Sequence, residues 1–347
     1  MPSHSTSSGV KAALLAAVLF GAATPLAKLI LATVSPWMLA GLFYLGSGIG
    51  LALYRKIIKA ERVSLPREEQ FWLGGAIIFG GIIAPVLLMT GLTAMPASGA
   101  SLLLNAEGVF TALLAWFVFK ENFDRKIALG MLAIVLGAIV LSWSGTADFS
   151  ALWPSLAILG ACLAWAIDNN LTRKVSLNDA SWVASVKGLV SGCTNLCLAL
   201  LVGAHFPSPL LLLSSMLLGF LAYGVSLALF VVALRHLGTA RTGAYFSIAP
   251  FFGALLALIL GEPITVPLIV AGLLMALGIW LHLSETHEHP HIHEKLEHEH
   301  EHTHDEHHQH RHDFFVPAGV THRHQHGHSR LEHTHSHFPD AHHQHSH

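Results

Sequence analysis

The chain has 347 residues, of which 53% are hydrophobic and only 12% charged. That charged share is about half the roughly 25% that covers a soluble domain, which excludes an ordinary water-soluble enzyme of this length. Residues 1–284 hold 15 Lys and Arg against 10 Asp and Glu, whereas residues 285–347 hold 4 against 11, together with 23 of the 27 His. Two different materials therefore meet near Ser284, and each needs its own physical argument.

In chain order, apolar runs fall at 11–32, 36–54, 72–92, 95–119, 127–144, 152–172, 181–203, 209–234, 239–261 and 265–283. About 20 helical residues cross a hydrocarbon core of about 30 Å, so each run is read as one membrane span. Run length excludes barrel strands, which alternate over about ten residues. Gly and Pro inside the runs suit membrane helices packed through small residues. The first run is too long for a cleaved signal peptide, only Lys11 precedes it, and nine more runs follow. The fold class expected is an all-α membrane protein with ten transmembrane helices.

Sidedness follows from the short connections. If the N-terminus is cytoplasmic, the inner segments hold Lys11, then Arg55, Lys56, Lys59, Arg62 and Arg67, then Lys120, Arg125 and Lys126, then Arg173 and Lys174, then Arg235 and Arg241. The outer connections hold no Lys or Arg; their polar residues include Asp148, His205 and Glu262. Basic residues collect on the cytoplasmic side, so both termini are expected there, in a plasma or inner membrane.

The sequence also repeats itself. GVFTALLAWFVFKE at 108–121 resembles PFFGALLALILGE at 250–262, and each is followed by a Gly about ten residues on, Gly130 and Gly272. WPSLAILGACLAWA at 153–166 resembles KAALLAAVLFGA at 11–22 more loosely. Two five-helix units follow, 1–147 and 148–284, and an odd number of spans per unit inverts the second. Such inverted repeats place a substrate near the midplane between halves. On these features residues 10–284 resemble the drug/metabolite transporter superfamily, specifically the EamA-like permeases. That resemblance implies movement of small organic molecules and no catalytic motif. The chain departs from the family pattern where Glu107-Gly108 stands in place of a Pro such as Pro250, and where Ala40–Leu45 lacks a basic residue.

Four ionisable residues lie inside the expected spans: Lys28, Glu107, Asp168 and Lys187. A charge in the bilayer centre costs at least about 2.5–3.5 kcal/mol on insertion scales, so each needs a cavity or a partner. Glu107 lies near the middle of its span, where it can carry a proton, hold a cationic substrate group, or serve as a buried structural carboxyl. Lys28 either snorkels to headgroups or reaches toward Glu107. Asp168 and Lys187 lie at similar depth on successive antiparallel spans and are expected to pair, as a static strut or as an inner gate. Asn169 adds hydrogen-bonding capacity beside them. Tyr245 is a candidate donor into the cavity, as is Tyr44. Glu121 and Glu262 are read as helix-end groups, and Cys162, Cys193 and Cys197 give no disulfide framework.

Residues 285–347 carry the metal-ligand candidates: His287, His289, His291 and His293; His298, His300, His302 and His304; His322, His324, His326 and His328; His333, His335 and His337; His342, His343, His345 and His347. The segment cannot bury a core and is expected to be disordered. Neutral imidazoles spaced this densely suit Zn, Ni or Co, with loose geometry and weak selectivity.

Two functions compete. The first is a secondary transporter, an exporter of a small organic solute, with the tail binding divalent metal as regulator. The second is a divalent transition-metal exporter fed by the tail. The spans offer few metal ligands, which weighs against the second. No nucleophile set, required cofactor, nucleotide-binding loop or nucleic-acid signature is present, so an enzyme is not expected. The partners expected are the bilayer, a small-molecule substrate and transition-metal ions, with the chain a monomer or homodimer.

Overall fold

The computed structural model describes residues 4–61, 63, 65–119, 125–143, 149–175, 179–237, 242, 245–283, 287–293, 296–302, 322–328 and 331–337. Residues 1–285 and 286–347 form two separate units.

The first unit is all-helical among its described residues. Its helices are α1 His4–Ile30, α2 Pro36–Ile57, α3 Arg67–Ala76, α4 Ala84–Thr93, α5 Ala97–Leu103, α6 Ala106–Phe119, α7 Arg125–Ser142, α8 Phe149–Arg173, α9 Ala180–Leu201, α10 Pro209–Gly219, α11 Ser226–Leu237, α12 Ala249–Ile259 and α13 Val266–Leu283. Two π-helical segments, Ile77–Ile83 and Phe220–Val225, join α3 to α4 and α10 to α11 into continuous rods. Among the described residues, seven of the ten expected runs form helices long and apolar enough to cross a membrane; Ala128–Ser142, Ala249–Ile259 and Val266–Leu281 are shorter apolar helices. The chain is thus a multi-pass membrane protein.

Starts and stops follow local chemistry. Ser35 accepts the Met38 amide at 3.3 Å and Pro36 opens α2, a hydroxyl cap followed by a residue with no amide to leave unpaired. Gly203 and Gly261, with φ of 82° and 104°, turn the chain just past α9 and α12, a conformation that costs glycine little. The run at 239–261 is interrupted because Pro250 stands in the first turn of α12, after a turn at Ser247–Ile248. The run at 95–119 is interrupted at Leu104–Asn105, where the amides of Leu104, Asn105 and Glu107 each bond three residues back. Averaged hydropathy misses either break, since the few residues concerned sit within long apolar runs.

Phe43, Met38, Leu39, Leu42, Met89, Leu103, Ile158 and Met275 are fully buried, whereas Phe71, Leu129, Leu201, Leu210 and Leu273 stand outward. An apolar exterior of this kind is what a bilayer solvates. Between helices, lipid-like side chains give little driving force, so close approach through small residues carries the packing. A Cβ on Gly188 of α9 would lie 2.6 Å from the Gly48 amide nitrogen of α2, and one on Gly278 of α13 would lie 2.6 Å from the Gly130 carbonyl of α7. Gly21 of α1 abuts the Ala249 carbonyl of α12, and Gly219 abuts the Phe43 carbonyl.

In the second unit the described residues form four strands. β1 His287–His293 pairs antiparallel with β4 Leu331–His337, and β2 Leu296–His302 with β3 His322–His328. The physical reason is the alternation of His with other residues, which has the period of a strand. His304, His342, His343, His345 and His347 lie outside the described residues.

Candidate functional site

The π-helical segment at Ile77–Ile83 organises the centre of the membrane unit. A π turn frees backbone carbonyls from the regular ladder, and buried carbonyls need donors. Tyr44 Oη donates to the Gly80 carbonyl at 2.6 Å, Trp165 Nε1 donates to the same oxygen at 3.0 Å, and Asn195 Nδ2 donates to the Gly81 carbonyl at 2.9 Å. Three helices, α2, α8 and α9, are thereby tied to one distorted turn. The Asp168 carboxylate packs directly over Gly80, in the space a Cβ would take.

Asp168 and Lys187 form the expected pair. Lys187 Nζ donates to Oδ1 and Oδ2 at 2.6 and 2.7 Å, and Thr172 Oγ1 donates to Oδ1 at 2.8 Å. Their side chains are only 9% and 16% exposed, so the pair is shielded from water. Each residue lies one to two turns from the connection between α8 and α9, and both helices pack against the π-helical segment at Ile77–Ile83.

Glu107 sits on the first turn of α6, immediately after the break at Leu104–Asn105. A helix N-terminus carries positive partial charge, so the carboxylate is favourably placed there. Asn169 Nδ2 donates to its Oε1 at 2.8 Å and lies 3.4 Å from Thr111 Oγ1, one turn further along α6. Glu107 is half-buried, and its neighbours Gly108 and Asn169 are exposed. Tyr223 lies on the second π-helical segment. Its ring packs on Tyr44 with centroids 5.4 Å apart, and on Phe20 at 5.8 Å. Sequence reading passed over Tyr223, because nothing in an apolar run marks the turn at which a helix widens.

The remaining candidates lie elsewhere. Lys28 does not reach Glu107: its Nζ donates to the carbonyls of Leu92 and Thr93 at 2.6 and 3.1 Å, where a cation offsets the negative end of α4. The Glu262 carboxylate accepts the Ala97 and Ser98 amides at 2.6 and 2.8 Å, capping α5 from another part of the chain. Tyr245 packs with Ala12, Ala13 and Ala233, away from the centre. Glu121 lies outside the described residues. Cys193 and Cys197 are exposed on α9, and Cys162 is buried. Among the described residues, no three His, Cys, Asp or Glu side chains gather into a group that could hold a metal ion.

At the C-terminal end of α2, Arg55 bonds Asp179, the Ser181 hydroxyl at 2.7 Å and the Glu61 carbonyl at 2.8 Å. Asp179 also caps α9, accepting the Ser181 amide at 2.8 Å. Partial burial works against ionisation of Asp179, but the Ser181 hydroxyl, Arg55 and the Trp182 amide outweigh it and hold the carboxyl below its usual range. A depressed carboxyl contributes stability above its unfolded pKa and loses it as the pH falls through the folded one. Asp179→Asn keeps a capping side chain but not the charge. It should cost under about 1 kcal/mol. In thermal melts the gap from wild type should hold at neutral pH and close below about pH 4. Cavities of about 360 Å³ beside Arg55, Glu61 and Trp182, and about 330 Å³ between α6, α7 and α8, do not include Glu107.

The model of the EamA-like transporter family matches residues 7–143 and again 152–284. The chain belongs to the EamA-like transporter family. It is therefore a transporter and not an enzyme. An uncharacterized transporter of Methanothermobacter thermautotrophicus is 30% identical over 287 residues, covering 77% of this chain and 83% of that one. A protein of Salmonella typhimurium described as a probable amino-acid metabolite efflux pump is 27% identical over 288 residues, covering 78% of this chain and 93% of its own length. A crystal structure with 19% sequence identity matches 81% of this chain and 96% of its own with a TM-score of 0.59, a likeness of fold alone.

Proposed function

We propose that this EamA-like transporter exports a small organic metabolite by alternating access, with Glu107 as the group that binds substrate or a coupling proton. The observation that carries this reading is the Glu107 carboxylate itself: one hydrogen bond from Asn169 and a helix N-terminus behind it, at the break in the fourth span. A lone acidic group at the bilayer's depth is costly unless it exchanges a partner.

The two halves are read as inverted five-helix repeats of ten spans, 1–147 and 148–284, with both termini cytoplasmic. Support comes from the two successive family matches and from paired irregularities. The third span of each half contains a π-helical segment, at 77–83 and 220–225. The fourth span of each half is interrupted, at 104–105 and 247–248. Interrupted helices in corresponding positions are where transporters of this kind place their sites. The Arg55–Asp179 and Asp168–Lys187 contacts join neighbouring helices near one end, and Lys28 and Glu262 hold the other end together.

The histidine tail is read as a divalent-metal-binding regulator of this transport. The competing reading, a metal exporter, needs a ligand set along the path, and the central groups are one carboxylate, an amide, two phenols and an ion pair. Export measured in cells should separate them. Glu107→Gln should lower metabolite export at least about tenfold, the equivalent of one charge-assisted hydrogen bond. Truncation after residue 284 should preserve that export while removing its response to metal. Metal export that survives truncation would favour the second reading, and an unchanged rate and pH profile in Glu107→Gln would end the role given to this carboxylate.

A further inference from the structure

The histidines of the tail change phase. They occupy odd positions in 287–293 and in 331–337, but even positions in 296–302 and in 322–328. A flexible chelating chain has no need of phase, still less of matching changes on two arms. The strand register explains them. β1 and β4 pair His287 with His337, His289 with His335 and His291 with His333; β2 and β3 pair His298 with His326, His300 with His324 and His302 with His322. The two pairings continue one register, so the phase change on one arm meets the phase change on the other. Directly opposed residues share a face, and residues two apart share it too. Each ribbon therefore carries seven histidines on one face. The alternate positions pair Glu288 with Ser336, Pro290 with Thr334 and Ile292 with Glu332 in one ribbon, and Glu297 with Gly327, Glu299 with Gln325 and Glu301 with Arg323 in the other.

We infer that the cross-strand histidine pairs of β1–β4 and of β2–β3 bind divalent transition-metal ions, the metal stapling each pair of strands together. This deepens the reading of the tail as a metal binder and rests on it. Opposed Cβ atoms in such ribbons lie about 4.5–5.5 Å apart and successive same-face residues about 6.8 Å. Two neighbouring pairs thus offer four imidazoles around one point, the number a tetrahedral zinc ion takes at about 2.0–2.1 Å. The register supplies pairs and not preassembled groups of three, so the ion itself completes the cluster. A two-stranded ribbon alone is marginal in water, and metal binding is then also folding free energy.

The test uses the full-length protein in detergent, titrated with zinc against a chromogenic competitor. About two ions per chain are expected to bind tightly, one per ribbon. A variant with Glu299→His, His300→Glu, Thr334→His and His335→Thr keeps every histidine but breaks the central pair of each ribbon. Zinc affinity should fall at least tenfold, and zinc should no longer slow tryptic cleavage after Arg323, which lies inside β3. Equal affinity and equal protection in the two proteins would overturn the ribbon while leaving a flexible metal-binding tail. Absence of zinc binding in the wild type would overturn both.

Discussion

Lys187→Met is expected to destabilise the membrane unit by about 3–5 kcal/mol, because it leaves the Asp168 carboxylate buried and uncompensated. The geometry sets the size of the effect. Lys187 Nζ bonds both carboxylate oxygens, at 2.6 and 2.7 Å, and Thr172 supplies one further hydrogen bond. Behind the carboxylate lies the Gly80 turn, which Tyr44 and Trp165 already hold from other helices. Removing both charges is a different matter. Asp168→Asn with Lys187→Met replaces a desolvated pair with neutral groups, and such exchanges are often close to neutral. The double variant should therefore recover most of the loss, and thermal melting of wild type, both single variants and the double would give the coupling directly. Transport by the double variant separates the two roles open to the pair. A static strut predicts near-normal export. A gate predicts export with faulty control of inner access, seen as leak of substrate down its gradient. A loss under about 1 kcal/mol in Lys187→Met would mean that water reaches Asp168 in the folded protein.

The membrane fold was legible because its signals are one-dimensional. Apolar run length marks the helices, and the short connection between α8 and α9 fixes Asp168 and Lys187 at one depth before any contact is known. Glu107 stands out for a similar reason, as an acid in a run that should have none. What the sequence hides is the backbone that departs from regularity. Gly80 and Gly81 look like ordinary packing glycines, yet their carbonyls collect three side chains from three helices. Tyr223 looks like any aromatic in an apolar run, and Tyr245, which stands nearer polar residues in sequence, packs against alanines instead. Lys28 illustrates the same limit: its partners are carbonyls at another helix's end, and carbonyls have no letter in a sequence. The tail shows the opposite case, since its histidine phase was on view all along but means nothing until a register pairs the two arms.

Gly188→Ala is expected to cost about 1–3 kcal/mol and to impair export beyond that loss, although it adds a single methyl group. The added Cβ would lie 2.6 Å from the Gly48 nitrogen, 2.7 Å from the Gly48 Cα and 2.9 Å from the Tyr44 carbonyl. All three are backbone atoms, so no side chain can swing aside; α2 and α9 must separate. Gly192 enforces the same closeness one turn further on, where a Cβ would stand 2.5 Å from the Leu45 nitrogen. Displacing α2 also drags Tyr44, whose hydroxyl holds the Gly80 carbonyl and whose ring packs on Tyr223. The strain therefore runs from the helix crossing to the central site, and a larger residue such as Leu should prevent folding. Gly74→Ala is the matched control: nothing lies within 4 Å of its Cβ position, and it sits inside α3. There the substitution should stabilise by up to about 1 kcal/mol through helix propensity alone. Melting temperatures of the two variants should move in opposite directions. Equal behaviour would mean that α2 and α9 are not in backbone contact, and the link from their crossing to the Tyr44–Gly80 hydrogen bond would go with it.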